Sequence, residues 1–323
     1  MNTYKELVSH VQQIFANENF TGDPSNLFAP IDYTLALGGK RLRPLMLLAA
    51  TDLFGGDIRS AHHAAIAVEV FHNFTLLHDD LMDRSPLRRG QPTVYCKWNE
   101  NTAILSGDAM TALAWRHLLA TPNATPRLYE TFNEMCMDIY RGQQYDMDFE
   151  QRNDVSIPEY MEMIRLKTAV LIAGALRMGA ICANANPDDE ERLYHFGNAI
   201  GLAFQLRDDL LDAYGDTATL GKQTGSDIRD NKKTFLFLHA LEKGNTQQQQ
   251  RLLALFNTTP DDPTDKINEV IDIYNHLDIR NDVDALIADY HNKALTALDA
   301  ICRPENDKTT LLHIANSLLN RDK

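Results

Sequence analysis

Three features of this 323-residue sequence predict an all-α fold. Apolar residues recur three and four apart over long stretches, glycine and proline gather in short clusters between those stretches, and no alternating strand leads into a hairpin turn. The clusters fall at Gly22 to Pro30, Gly38-Gly39, Gly55-Gly56, Pro86 to Pro92, Pro122 to Pro126, Pro187, Gly215 to Gly225, Gly244, Pro260 to Pro263 and Pro304. Short loops joining antiparallel neighbours make this a single domain, residues 1–323, of roughly a dozen helices. The first strongly patterned element follows Gly38-Gly39, where Pro44 suits a first helical turn leading into the apolar segment Leu45 to Ala50. Next, Ile66, Val70, Phe74, Leu77 and Leu81 step by three or four, with Ala67, Phe71 and Thr75 in a second row beside them. A helix apolar on so many sides belongs in the core. Residues 158–183 and 190–214 read the same way, and the former carries Ala169, Ala173, Gly174, Ala175, Gly179 and Ala180, small enough for close helix approach. The glutamine run 247–250 reads as a polar helix face, and no composition shift marks a linker.

Composition narrows the function classes. Asp and Glu outnumber Lys and Arg 45 to 31, a formal charge of −14, which argues against a general binder of nucleic acid or of anionic membranes. No uncharged apolar run of 18 residues could span a bilayer, so stable membrane insertion is not expected. The start MNTYKELVSHVQQIF mixes charged and polar residues through what would be the apolar core of an export signal, and a cytoplasmic location is the expectation. Cys96, Cys136, Cys182 and Cys302 lie far apart without a CxxC or a Cys/His cluster, and read as reduced, partly buried core residues.

The chemistry lies in a motif that occurs twice: DDLMD at Asp79, Asp80 and Asp83, and DDLLD at Asp208, Asp209 and Asp212. Spacing i, i+4 puts Asp79 and Asp83 on one helix face a turn apart, and Asp208 and Asp212 likewise. Like charges there repel, and each group ends an apolar stretch, so a cation is expected. A solvated helix end would account for one such cluster. Two copies, each followed by basic residues in a glycine-containing loop, favour a site: Arg84, Arg88, Arg89 and Gly90 follow the first, and Gly221, Lys222, Gly225, Lys232 and Lys233 the second. Carboxylates for a hard cation beside cations for an anion suit magnesium diphosphate, because magnesium is commonly held by one or two carboxylates plus substrate phosphates. An EF-hand calcium site fails on loop spacing and on the missing terminal Glu.

Other polar residues interrupt apolar surroundings. Gly38-Gly39-Lys40-Arg41-Leu42-Arg43-Pro44 offers three cations and the free N–H groups of a helix start to an anion, though a turn with solvated arginines has the same sequence. His72 lies seven residues before Asp79 and shares its direction two turns deeper; a satisfied core histidine is the alternative. Phe204 and Gln205 precede Asp208 on one helix. Lys167-Thr168 heads the apolar run AVLIAGAL, which suggests contact with something anionic or electron-poor, or snorkelling to the surface.

Read in order, GGKRLRP, FTLLHDDLMDRSPLRRG, RGQQYD, LKTAVL, FQLRDDLLDAYGD and GKQTGSDIRDNKKT resemble the trans-type isoprenyl diphosphate synthases, the polyprenyl synthetase family, from about residue 38 to residue 234. The resemblance implies an all-α bundle around a deep central cavity, usually a homodimer. It implies head-to-tail prenyl transfer, in which an allylic diphosphate loses diphosphate, isopentenyl diphosphate adds to the resulting cation, and a proton departs. On this likeness Asp79, Asp83, Asp208 and Asp212 hold magnesium ions, three per active site, on the allylic diphosphate from opposite walls. Arg88, Lys167, Lys222 and Lys232 grip that diphosphate. Lys40, Arg43, His72 and Arg89 match a metal-free isopentenyl diphosphate site, and Thr168, Gln205 and Phe204 match residues facing the reacting carbons.

The first motif lacks the two-residue insertion of many bacterial farnesyl diphosphate synthases, so that subgroup's identity does not carry over. In the family, Thr75, Phe74 and Phe71, at four, five and eight residues before the first aspartate, match positions that set product length. Phe74 and Phe71 lie on the order of 7 to 12 Å down the helix from Asp79, and two bulky rings favour farnesyl or geranylgeranyl diphosphate over a long polyprenyl product. The wheel favours Phe71 and the family pattern Phe74; that choice stays open at this point. A terpene cyclase of the same fold would carry an Asn/Ser/Glu-type second metal motif, and a non-catalytic partner subunit would have lost aspartates or basic residues; neither pattern is present.

Overall fold

The structure is a computed structural model that describes residues 2–215 and 224–319. In chain order the helices are α1 (Tyr4–Asn17), α2 (Ser25–Ala36), α3 (Leu42–Leu53), α4 (His62–Met82), α5 (Val94–Lys97), α6 (Glu100–Leu119), α7 (Pro126–Gln151), α8 (Ile157–Ile164), α9 (Val170–Cys182), α10 (Pro187–Tyr214), α11 (Ser226–Arg229), α12 (Phe235–Lys243), α13 (Thr246–Leu255), α14 (Thr264–His276), α15 (Ile279–Asp299) and α16 (Glu305–Leu319). The expectation of an all-α fold holds. Helix starts are written locally: Thr3 with Glu6 and Ser156 with Glu159 form capping boxes, and the Asn99 side chain accepts from Thr102 N at 2.8 Å.

The sequence reading missed one hairpin. Strands β1 (Leu87–Arg88) and β2 (Gln91–Pro92) pair antiparallel, joined by Arg89 and Gly90, whose φ values of 54° and 75° are the positive pair a type I′ turn needs. Two-residue strands leave no alternation to detect, and arginine in place of the usual Asn or Asp hides the turn.

Two compact units make up the chain. One comprises Met1–Asn133, Gly174–Leu193 and Cys302–Leu311. In it α4 packs on α3 and α6, and Ala64 to Phe71 are buried without a break, which explains its apolar character on several sides. Gly179 realises the close approach its size allows: a methyl group there would lie 2.8 Å from the Ala50 Cβ, and Thr51 Oγ1 donates to Gly179 O at 3.0 Å. The other unit comprises Glu134–Ala173, Tyr194–Ile301 and Leu312–Lys323. Its core includes Tyr160, Leu206, Leu210, Phe237 and Tyr274, with Phe237 stacked on Phe256 at 3.9 Å between ring centres. Each buried side chain of this size contributes on the order of 1.5–3 kcal/mol by leaving water.

Among the described residues no helix is long and apolar enough to cross a membrane. The four cysteines are free, but only Cys136 is buried and Cys182 half-buried; Cys96 and Cys302 are exposed, which corrects the expectation that all four are core residues. Cys96 lies in the four-residue α5 and Cys302 between α15 and α16, where periodicity says nothing about depth.

Candidate active site

In the first unit the site residues converge on the C-terminal half of α4. The helix ends at Met82, and Asp83 caps it with its N–H donating to Asp79 O at 2.8 Å, so the i, i+4 relation survives to the last residue. Asp79 is half-buried and Asp83 exposed. The middle aspartate behaves differently. Asp80 is buried, and Arg88 reaches its Oδ1 through Nε at 2.9 Å and Nη2 at 2.6 Å. Burial raises the Asp80 carboxyl, and the Arg88 hydrogen bond and charge pull it back. Arg88, expected on a diphosphate, therefore also neutralises an internal carboxylate.

The hairpin sets Arg88 and Arg89 to different tasks. The Arg89 guanidinium lies against Gly39, where a methyl group would sit 2.7 Å from its Nη2; Gly39 has φ of 131°, a conformation that excludes side chains in any case. The GGKRLRP loop and the hairpin thereby meet. Lys40 is exposed on that loop, while Arg41 turns back, its guanidinium 4.0 Å over the Phe15 ring. Arg43, in the first turn of α3, lies with Nη1 at 3.1 Å from His72 Nε2. Burial and then the Arg43, Arg89 and Arg88 charges hold His72 well below the usual histidine range, so it is neutral and accepts from Arg43. A cleft lined by Thr34, Asn73, Leu77, Asp80, Arg88 and Arg89 adjoins this cluster.

Glu69, one turn before His72 and Asn73, was missed from sequence. It is buried, and Asn73 Nδ2 donates to its Oε1 at 3.2 Å. Burial raises its carboxyl, and Arg43, Arg41, the Asn73 hydrogen bond and Arg89 oppose that. The signal was available: a charged residue in the otherwise apolar run from Ala64 to Phe71.

Phe71 and Phe74 share a face of α4 with His78. Their rings are 5.4 Å apart, Phe74 meets His78 at 4.7 Å, and Phe71 backs onto Phe132 at 5.6 Å. Thr75 is half-buried and donates to His72 O at 2.8 Å.

The second unit gathers the other motif. Asp208 is exposed and Asp212 half-buried, one turn apart on α10. Asp212 accepts from Ser226 Oγ and from Asp227 N at 2.9 Å, which ties the helix end to α11. The middle residue is again internal: Asp209 is buried, accepts from Tyr160 Oη and, at 3.0 Å, from Gln205 Nε2, and is pushed up to about 7 by burial. Gln205 Oε1 accepts from Thr168 Oγ1 at 2.9 Å, and Lys167 Nζ reaches Asp146 Oδ2 at 2.6 Å. Asp227, also missed from sequence, is held well above the usual carboxylate range by burial and by Asp212 and Asp209. Lys232, half-buried, lowers it. Phe204 is half-buried beside Gln205 on α10. Lys233 is spent on the Phe149 and Glu150 carbonyls at 2.9 and 3.2 Å. Lys222 lies outside the described residues.

Among the described residues no three His, Cys, Asp or Glu side chains form a metal cage. The donor set nevertheless suits magnesium, which takes oxygen ligands and completes its shell with phosphate and water. Asp79 with Asp83 in the first unit, and Asp208 with Asp212 in the second, supply oxygen donors of that kind.

An all-α chain with two Asp-Asp-x-x-Asp helix ends, each beside cationic side chains, belongs to a recognisable class of enzymes that act on prenyl diphosphates. The polyprenyl synthetase family model matches residues 24–274. The geranylgeranyl diphosphate synthase of Methanosarcina mazei is 42% identical over 224 residues, 68% of this chain and 69% of that protein. A crystal structure of a geranylgeranyl pyrophosphate synthase superposes with a TM-score of 0.94 at 41% identity, covering all of both chains. A polyprenyl synthase of Caulobacter crescentus, solved with calcium and isoprenyl diphosphate, does so with a TM-score of 0.86 at 30% identity over 99% of this chain and 95% of that one. This chain belongs to the polyprenyl synthetase family and has its all-α fold. It is a prenyltransferase of the short-chain trans type.

Proposed function

We propose that the enzyme condenses isopentenyl diphosphate head-to-tail with an allylic diphosphate, dimethylallyl, geranyl or farnesyl, to give farnesyl or geranylgeranyl diphosphate. Residues 1–323 act as one catalytic domain, in a homodimer, in the cytoplasm. The observation that supports this reading over cyclisation is the Arg43, His72 and Arg89 cluster with Glu69 beneath it: a cationic site without a carboxylate pair at its surface, which a cyclase has no use for.

Asp79, Asp83, Asp208 and Asp212 would hold three Mg2+ ions, and the chemistry these would supply is Lewis-acid neutralisation of the leaving diphosphate. Arg88, Lys167, Lys222 and Lys232 grip the same group. The allylic C–O bond breaks with its electron pair leaving on diphosphate. The isopentenyl double bond, held by Lys40, Arg43, His72 and Arg89, then attacks the allylic carbon. Thr168 and Gln205 direct oxygen dipoles at the cationic carbons, and the Phe204 ring packs on the homoallylic substrate. The proton lost from the condensed chain goes to the departed diphosphate. Neutral His72 keeps the Arg43 guanidinium oriented and leaves its charge for the anion.

The test is one incubation of purified protein with labelled isopentenyl diphosphate, magnesium and each allylic starter in turn, reading chain length after dephosphorylation. Linear products one or more units longer than the starter are expected. Cyclic hydrocarbon formed without isopentenyl diphosphate would refute the assignment.

A further inference from the structure

Between α8 and α9 the helix does not break but widens. Residues Arg165–Ala169 form a π turn in which Val170 N donates to Arg165 O, five residues back instead of four. Such turns are rare and recur at functional sites because they need support from their surroundings. This one carries Lys167 and Thr168.

Two neighbouring helices meet the π turn in the same manner. On α7, a methyl group at Gly142 would overlap the Lys167 nitrogen and lie 2.7 Å from Leu166 C and from Lys167 Cα. One helical turn further, Asp146 takes the Lys167 ammonium at 2.6 Å. On α10, a methyl group at Gly201 would lie 2.5 Å from Ala169 Cα and 2.6 Å from its Cβ. Again one turn further, Gln205 takes the Thr168 hydroxyl at 2.9 Å, and its amide is oriented by Asp209 at 3.0 Å. Each helix thus offers a bare backbone to the π turn and, four residues on along the same face, a polar side chain to one of its two functional residues. Contact with backbone atoms leaves nothing that could rotate aside, so any side chain at either glycine must move the turn itself.

We propose that Gly142 and Gly201 are positioning residues for prenyl transfer: with Asp146 and Gln205 they set the register in which the π turn presents Lys167 to the diphosphate and Thr168 to the reacting carbons. This rests on the prenyl-transfer reading above. A glycine that only permitted dense packing would affect stability and leave the chemical step of the folded fraction alone. A glycine that sets the register changes the reaction in protein that is still folded.

The full-length variants Gly142→Ala and Gly201→Ala, and Asp146→Asn, are assayed for kcat, for KM of both substrates, for thermal midpoint, and for hydrogen exchange at the Val170 amide. Each alanine is expected to lower kcat by about 10²-fold, the scale of a 1 Å misplacement, while KM for isopentenyl diphosphate changes less than about threefold because Arg43, His72 and Arg89 are untouched. Val170 should exchange faster as its π bond is disturbed. Wild-type kcat in both alanine variants, or a loss no greater than the fraction unfolded, overturns the proposal. Should neither alanine variant fold, Asp146→Asn decides: a tenfold loss of kcat at unchanged thermal midpoint supports it and wild-type turnover overturns it. If the wild-type protein itself forms no elongated product, the prenyl-transfer reading fails, and the Val170 exchange rate still tests the clamp.

Discussion

The proposed function makes product length depend on which phenylalanine the growing chain meets first. Along α4, Phe74 stands five residues and Phe71 eight residues before Asp79, about 7.5 and 12 Å at about 1.5 Å per residue. The two positions differ by about 4.5 Å, roughly the reach of one isoprene unit. Phe71 is 0% exposed, wedged between Phe74 and Phe132, whereas Phe74 is 7% exposed and nearer the aspartates. On the proposed reading a growing chain would meet Phe74 first, with Phe71 as its backing. Phe74→Ala should lengthen the main product by one unit, with Phe71 becoming the new stop. Phe71→Ala alone should leave length unchanged, and the double variant should exceed either. Each truncation removes a buried ring at a cost of about 3–5 kcal/mol, a large share of the roughly 5–15 kcal/mol that holds a domain folded. Thermal midpoints must therefore accompany the assay, and Phe74→Leu offers a milder intermediate. Chain length is read by chromatography after dephosphorylation. An unchanged product from Phe74→Ala, or equal lengthening from Phe71→Ala alone, would refute this ordering.

Replacing Asp79 or Asp208 by Ala removes a carboxylate proposed to hold magnesium on the leaving diphosphate, and turnover should fall by at least about 10²-fold; near-normal steady-state rates, or full activity of the wild type in excess chelator, would contradict the metal role. A stability effect is expected at His117, which is 5% exposed, 3.2 Å from His63 Nδ1 and pushed down to about 4 by burial and then by His63 and Arg116. The folded protein keeps this ring neutral while the unfolded chain protonates it below the usual 6.5, so stability is lost as pH falls from 6.5 towards 4. The ceiling is about 3 kcal/mol, of which about 2 kcal/mol is gone by pH 5. Urea unfolding at pH 7.5 and pH 5 should show a smaller pH difference in His117→Gln than in the wild type, and equal differences would rule out this histidine as the cause.

Much of the site was legible because its chemistry demands residue types that an apolar helix does not otherwise tolerate. Asp79 and Asp83 stand out against FTLL, and Lys167-Thr168 against AVLIAGAL, since a polar group in such company needs a partner. What escaped were the groups that serve those residues. Asp80 and Asp209 look identical in sequence to the aspartates beside them, yet both are turned inward, one to Arg88 and the other to Tyr160 and Gln205. Asp146 and Asp227 likewise gain meaning only from neighbours distant in the chain. Arg89-Gly90 went unread as a turn because the strands it joins are too short to alternate.

The order of residues alone determined the helical period, the apolar faces, the caps and the i, i+4 pairing of carboxylates, because each follows from interactions within about one turn of helix. Tertiary structure decided which of two adjacent aspartates is buried, which arginine is spent on an internal carboxylate, and where a helix widens into a π turn. Those outcomes depend on backbones meeting at Gly142 and Gly201 and on desolvation by side chains far away in sequence, and no local pattern carries either.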